Sequence, residues 1–169
     1  KEVPSIVQSW YLGSIGGDAL ADVLTGKVNP SGKLPFSYPA KLKDCPAHFY
    51  GEMSYPGDSI KQEYKEDILV GYRWYDTKKI KPLFPFGYGL SYTTYKYSKP
   101  VLSAKQMKAG ETLSVSVKVK NTGAVAGKEI VQLYIGDEKC SLLRPLKELK
   151  GFQKVELQPG EEKEITFTI

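Results

Sequence analysis

The chain has 169 residues and a mass of 18.8 kDa, with 41% hydrophobic and 25% charged residues, which allows one domain or two small ones and excludes a fully disordered segment. No apolar run approaches the ~20 residues of a helical membrane span, and no charged-then-apolar leader opens the chain, so a soluble protein whose first residues are not a natural N-terminus is expected. The net charge of +5 is dispersed, with 11 basic and 10 acidic groups in residues 1–94 and 13 and 9 in residues 95–169, and this pattern reads as a solvated face rather than a nucleic-acid footprint.

The first half begins with Val3-Pro4-Ser5-Ile6-Val7-Gln8-Ser9-Trp10, an apolar stretch that predicts a buried strand, followed by a turn at Gly13, Gly16 and Gly17. Asp18 then opens a short helix whose Leu20, Val23 and Leu24 share one face and whose C′ position is Gly26. Strand, glycine turn and helix together are a β-α step of a layered α/β domain. The glycines lack the G-x-G-x-x-G order and the Lys-Ser/Thr ending of a phosphate loop. Asn29-Pro30-Ser31-Gly32 is a turn, and the prolines of Lys33-Leu34-Pro35-Phe36-Ser37-Tyr38-Pro39 bar that segment from a central strand.

A long connecting region follows. Cys45 and Cys140 lie far apart and form no C-x-x-C pair, so neither a disulfide framework nor a zinc site is indicated. His48 reads as a loop histidine beside Pro46. Fifteen of the twenty aromatic residues fall between Phe36 and Tyr97, where they either wall a pocket or join two domains. Beyond them the period changes to two. Leu113, Val115, Val117 and Val119 alternate with polar residues until Asn121-Thr122-Gly123. Ile130–Ile135, with Val131, Leu133 and Ile135 on one side, is a second strand; Phe152, Val155 and Leu157 mark a third; and Ile165, Phe167 and Ile169 a fourth, after the Pro159-Gly160 turn. Short strands broken by Gly and Pro describe a β-sandwich.

Several blocks of sequence also carry a resemblance. Gly16-Gly17-Asp18-Ala19-Leu20-Ala21-Asp22-Val23-Leu24-Thr25-Gly26 with Asn29–Pro35 resembles the end of the α/β sandwich domain of glycoside hydrolase family 3, the β-glucosidase and β-xylosidase family. Tyr64-Lys65-Glu66-Asp67-Ile68-Leu69-Val70-Gly71-Tyr72-Arg73-Trp74-Tyr75-Asp76 is similar to that family's aromatic segment, and Pro82–Thr93 to its linker. Asn121-Thr122-Gly123, Val131-Gln132-Leu133-Tyr134 and Arg144–Phe152 resemble its fibronectin type III-like domain. Leu12–Gly17 and Tyr88 depart from the family's usual residues. The implied fold is α+β by segments: a remnant of an α/β sandwich layer over residues 1–94, then an immunoglobulin-like (fibronectin type III-like) β-sandwich over residues 95–169 that lacks its last strands.

Members of this family are retaining enzymes that use a nucleophilic carboxylate and a carboxylic acid ~5 Å apart. The resemblance places the nucleophile in an N-terminal barrel and the acid upstream of the matched region, so neither is assigned to a residue here. The chain is expected to be an inactive C-terminal piece of a larger β-glycosidase, with no cofactor and no metal. Its partners would be a glycoside or oligosaccharide substrate through the parent enzyme, the parent's N-terminal domains, and possible strand pairing in trans at an open sheet edge; no nucleic acid and no membrane span are expected. Glu66, among Tyr64, Tyr72, Arg73 and Trp74, resembles a general acid in an aromatic setting, but a structural reading in which Arg73 pairs with Glu66 or Asp76 is preferred. Tyr64, Glu66, Arg73 and Trp74 are the candidates for lining or supporting a substrate rim. A non-catalytic carbohydrate-binding or adhesive module is the alternative function, and a periplasmic or secreted parent is the expected localisation.

Overall fold

The computed structural model describes residues 3–169. Helix α1 (Gly16–Leu24) begins two residues before Asp18, so Gly16 and Gly17 belong to the helix rather than to the turn expected there, and Asp18 lies in its first turn, where a carboxylate complements the helix dipole. It stops at Thr25, and Gly26 takes the left-handed conformation (φ 77°) that a C′ residue needs. The strand expected over Val3–Trp10 does not form. That stretch is irregular, no strand lies alongside it among the described residues, and Val3, Ile6, Val7 and Trp10 are half or more exposed. An apolar run becomes a buried strand only where neighbours pair its backbone and cover both faces, and none does so here.

A 3-10 turn (Leu42–Asp44) leads into α2 (Pro46–Phe49), where proline takes the first helical position. His48 therefore sits in a short helix rather than a loop, its ring edge-on to Tyr55 at 4.8 Å. Helix α3 (Tyr72–Thr77) carries the centre of a first core, in which Leu69, Trp74 and Tyr75 are buried against Tyr50 and Ile80. Phe49 and Tyr50 meet Trp74 edge to face at 5.0 and 5.6 Å. The proline-rich segments 33–39 and 82–88 touch through isolated bonds only, including a single bridge between Tyr38 and Phe84, as residues lacking N–H groups require.

The second core lies in the sandwich. Strand β3 (Ser114–Asn121) pairs antiparallel with β6 (Glu162–Thr168) on one edge and with the short β1 (Tyr95–Tyr97) and β2 (Val101–Leu102) on the other. Facing this sheet, β4 (Gly127–Ile135) and β5 (Glu148–Leu157) form an antiparallel pair. Val119, Val131, Val155, Leu157 and Ile165 are buried between the sheets, with Tyr95, Val117 and Phe167 packed against them. The two-residue period of β3 is the one read from the sequence. The pairing of β4 with β5 shifts register once, where Leu133 faces Gly151 and Tyr134 faces Leu149, so Lys150 is the extra residue of a bulge on β5. The dispersed charges lie on the wet faces as cross-strand or near-neighbour pairs, among them Lys118–Glu162 (3.5 Å) and Lys128–Glu156 (3.4 Å). Cys45 and Cys140 are both free thiols.

Candidate functional site

The aromatic segment and the sandwich meet along two seams. In the first, Asn29 of the turn after α1 donates through Nδ2 to the Ala126 carbonyl (2.9 Å) and accepts at Oδ1 from Ser91 Oγ (2.9 Å) and the Tyr92 N–H (2.8 Å). Lys33 donates to the Gly89 carbonyl (2.9 Å) and pairs with Glu129 (3.2 Å), whose other oxygen accepts from the Tyr97 hydroxyl (3.0 Å). Burial foremost, with the Glu129 charge beside it, raises the Tyr97 phenol above its ordinary range. Buried Asn121 completes this seam, accepting from Thr93 Oγ1 and the Gly123 N–H and donating to the Val125 and Leu157 carbonyls.

In the second seam, α3 faces the head of β5. Arg73 Nε lies 3.3 Å from Glu148, and Lys147 lies 3.3 Å from Asp76. Arg73 was expected to pair with Glu66 or Asp76; the carboxylate it meets belongs to the sandwich, brought to it by the fold from 75 residues away. Glu148 also takes a hydrogen bond from Lys150, and that bond, with the added charge of Arg73, lowers its carboxyl below the ordinary range. The Tyr72 ring stacks on Phe86 (4.7 Å) and meets Tyr134 edge-on (5.8 Å). Between them is a cavity of about 60 Å³ lined by residues including Ser37, Tyr72, Asp76, Tyr134 and Lys147. That is far below the ~300–1,000 Å³ of ligand clefts, so this is a packed joint rather than a sugar pocket.

The four candidate residues stand in different environments. Tyr64 is 74% exposed on the loop preceding α3. Glu66, on the same loop, is only 7% exposed, and its Oε2 has no hydrogen-bond partner. Trp74 is fully buried and donates Nε1–H to the Asp44 carbonyl (3.1 Å). Arg73 is held at the sandwich. The loop is shaped by Asp67 (φ 55°) and Gly71 (φ 58°), both in positive-φ conformations. No three His, Cys, Asp or Glu side chains gather into a metal-capable group among the described residues, and no helix is long and apolar enough to cross a membrane.

The sequence reading did not assign Lys33, Glu129 and Asn121 to the junction. One signal was present: Gly127, Glu129 and Val131 share the inward phase of β4, and a carboxylate in an apolar phase has to find a buried partner.

Comparison with known proteins completes the picture. Residues 1–92 match the glycosyl hydrolase family 3 C-terminal domain, and residues 129–169 match a fibronectin type III-like domain. The chain is 78% identical over all 169 residues to β-glucosidase BoGH3A of Bacteroides ovatus, and 54% identical over 168 residues to the thermostable β-glucosidase B of Acetivibrio thermocellus. It covers 100% and 99% of its own length in these matches but only 23% and 22% of theirs. Its fold superposes on the GH3 β-glucosidase of Bifidobacterium adolescentis with a TM-score of 0.86 at 42% identity, covering 96% of this chain and 23% of that one. Against β-glucosidase 3B of Thermotoga neapolitana in complex with glucose the TM-score is 0.85 at 45% identity, covering 95% and 22%. With both of the family's consecutive modules matched in order on the two cores described above, the chain belongs to glycosyl hydrolase family 3, as a C-terminal region of its architecture.

Proposed function

We propose that the chain is the C-terminal part of a retaining β-glucosidase-type glycosidase, in which it braces and borders the active site rather than reacting. The observation that carries this is the match of the entire chain, at 78% identity, to 23% of a β-glucosidase. In this reading residues 1–94 complete an α/β sandwich domain and residues 95–169 are the fibronectin type III-like brace. The reacting pair of carboxylates, ~5–5.5 Å apart in a retaining enzyme, comes from upstream domains. Tyr64 lines the substrate rim, while Glu66, Arg73 and Trp74 support it. The exposed strip Val3, Ile6, Val7 and Trp10, with Leu24 of α1, is the face those domains cover. Strand β4, paired with β5 alone among the described residues, offers its second edge to a further strand, from the parent chain or in trans.

The test is hydrolysis of an aryl β-glucoside. The purified chain gives no turnover alone and does not gain it from divalent metals. Turnover by the chain alone that Glu66→Gln abolishes overturns the reading.

A further inference from the structure

The contacts between α3 and the sandwich run in register. Four successive residues at the head of β5 each engage α3, in antiparallel order. The Leu146 N–H donates to Thr77 Oγ1 (3.0 Å), Lys147 pairs with Asp76 (3.3 Å), Glu148 pairs with Arg73 (3.3 Å), and the Leu149 N–H donates to the Tyr72 hydroxyl (2.7 Å). Two of these bonds come from main-chain N–H groups, one from Leu149 within β5 and one from Leu146 just before it, so their positions are set by the backbone rather than by flexible side chains. The strand is rooted in turn: Glu148 and Leu149 are laddered to Ile135 and Tyr134, and Gly136 packs directly against the Leu146 carbonyl, where any side chain would collide.

On the other side, α3 is the continuation of the loop that carries Tyr64 and Glu66. The Trp74 N–H closes back on the Gly71 carbonyl (3.1 Å), and the loop's own bonds are few and local: Asp67 N to Tyr64 O (3.2 Å), Leu69 N to Glu66 O (3.1 Å) and Val70 N to Ile68 O (3.0 Å). Leu69 anchors the loop in the first core, but the loop's backbone has little hydrogen bonding of its own, so its order also depends on what fixes the end at α3. We propose that residues 146–149 clamp α3 and that Arg73 is thereby a positioning residue for the 64–71 loop. The sandwich is then more than a remote brace, because its β5 head sets the conformation of the loop nearest the substrate. This deepens the reading of that loop as a substrate rim and rests on it for its functional meaning, whereas the mechanical coupling stands or falls independently.

Amide hydrogen exchange on the 169-residue chain tests it. Arg73→Met and Glu148→Gln each speed exchange at Asp67, Leu69 and Val70 about threefold to fivefold, the scale of a half-exposed ion pair, and leave the Val119 and Val131 amides unchanged. The double variant is no faster than the faster single one, and Arg73→Lys, which keeps the charge, restores most of the protection. Should Arg73→Met fail to fold, Thr77→Val removes one acceptor of the same clamp and gives a smaller acceleration at the same three amides. Loop exchange that stays at the parent rate, that adds up in the double variant, or that rises equally in the strands overturns the clamp. A clamp that passes this test in a chain that also turns over an aryl β-glucoside separates failure of the proposed function from failure of the coupling.

Discussion

Gly71 precedes α3 with φ 58° and ψ −131°, a combination that L side chains avoid, although nothing lies within 4 Å of where a Cβ would be. Gly71→Ala therefore costs backbone strain alone, about 1–3 kcal/mol, read as a lower urea midpoint with an unchanged denaturant slope. Tyr75, 4% exposed, has its phenol pushed up to about 12 from 10.0, first by burial and then by the nearby Cys45 and Asp44. Because the folded value is the higher one, its contribution to stability is complete below pH 10 and is lost as the pH rises through about 12, where the unfolded chain ionises more readily. That loss amounts to roughly 3 kcal/mol. Tyr75→Phe flattens the decline between these pH values in chemical denaturation; an unchanged decline would assign it to other tyrosines.

The seam between the turn after α1 and the sandwich depends on Lys33. Its removal leaves Glu129, with a 10% exposed side chain, facing only Tyr97. Lys33→Met is expected to destabilise the chain by about 2–3 kcal/mol, less than a wholly buried pair because the lysine side chain keeps 15% exposure. Urea denaturation measures it, and a loss under ~0.5 kcal/mol would show that Tyr97 and the sheet carry the seam without the lysine. At this scale the existence of the helix ending at Leu24 and of strands β3 to β6 was readable in the sequence, since each shows local apolar residues bounded by turn residues, although the helix starts two residues before Asp18. The bulge at Lys150 of β5 was not, because an extra residue exists only relative to the partner strand β4.

Across the whole molecule, two buried cores coexist with exposed apolar side chains, of which Val3, Ile6, Val7 and Trp10 form a run at the N-terminal end. A strip of this kind invites association in a chain studied by itself. The double variant Ile6→Lys with Val7→Lys should lower self-association in sedimentation equilibrium while shifting the unfolding free energy by under ~0.5 kcal/mol, since neither residue belongs to a core. Association that persists undiminished would point instead to the free edge of β4.

Local order was settled by the sequence alone: where α1 ends, where the period turns from 3.6 to 2, and which ordered blocks of residues mark the family. Only the tertiary structure decided that Val3–Trp10 is not a strand, that Arg73 meets Glu148, and that Lys33 meets Glu129. Periodicity and turn chemistry act among residues a few positions apart, so they can be read along the chain. Partners separated by 75 and 96 residues are chosen by how whole elements pack, and an exposed or buried face is fixed only by what comes to lie against it.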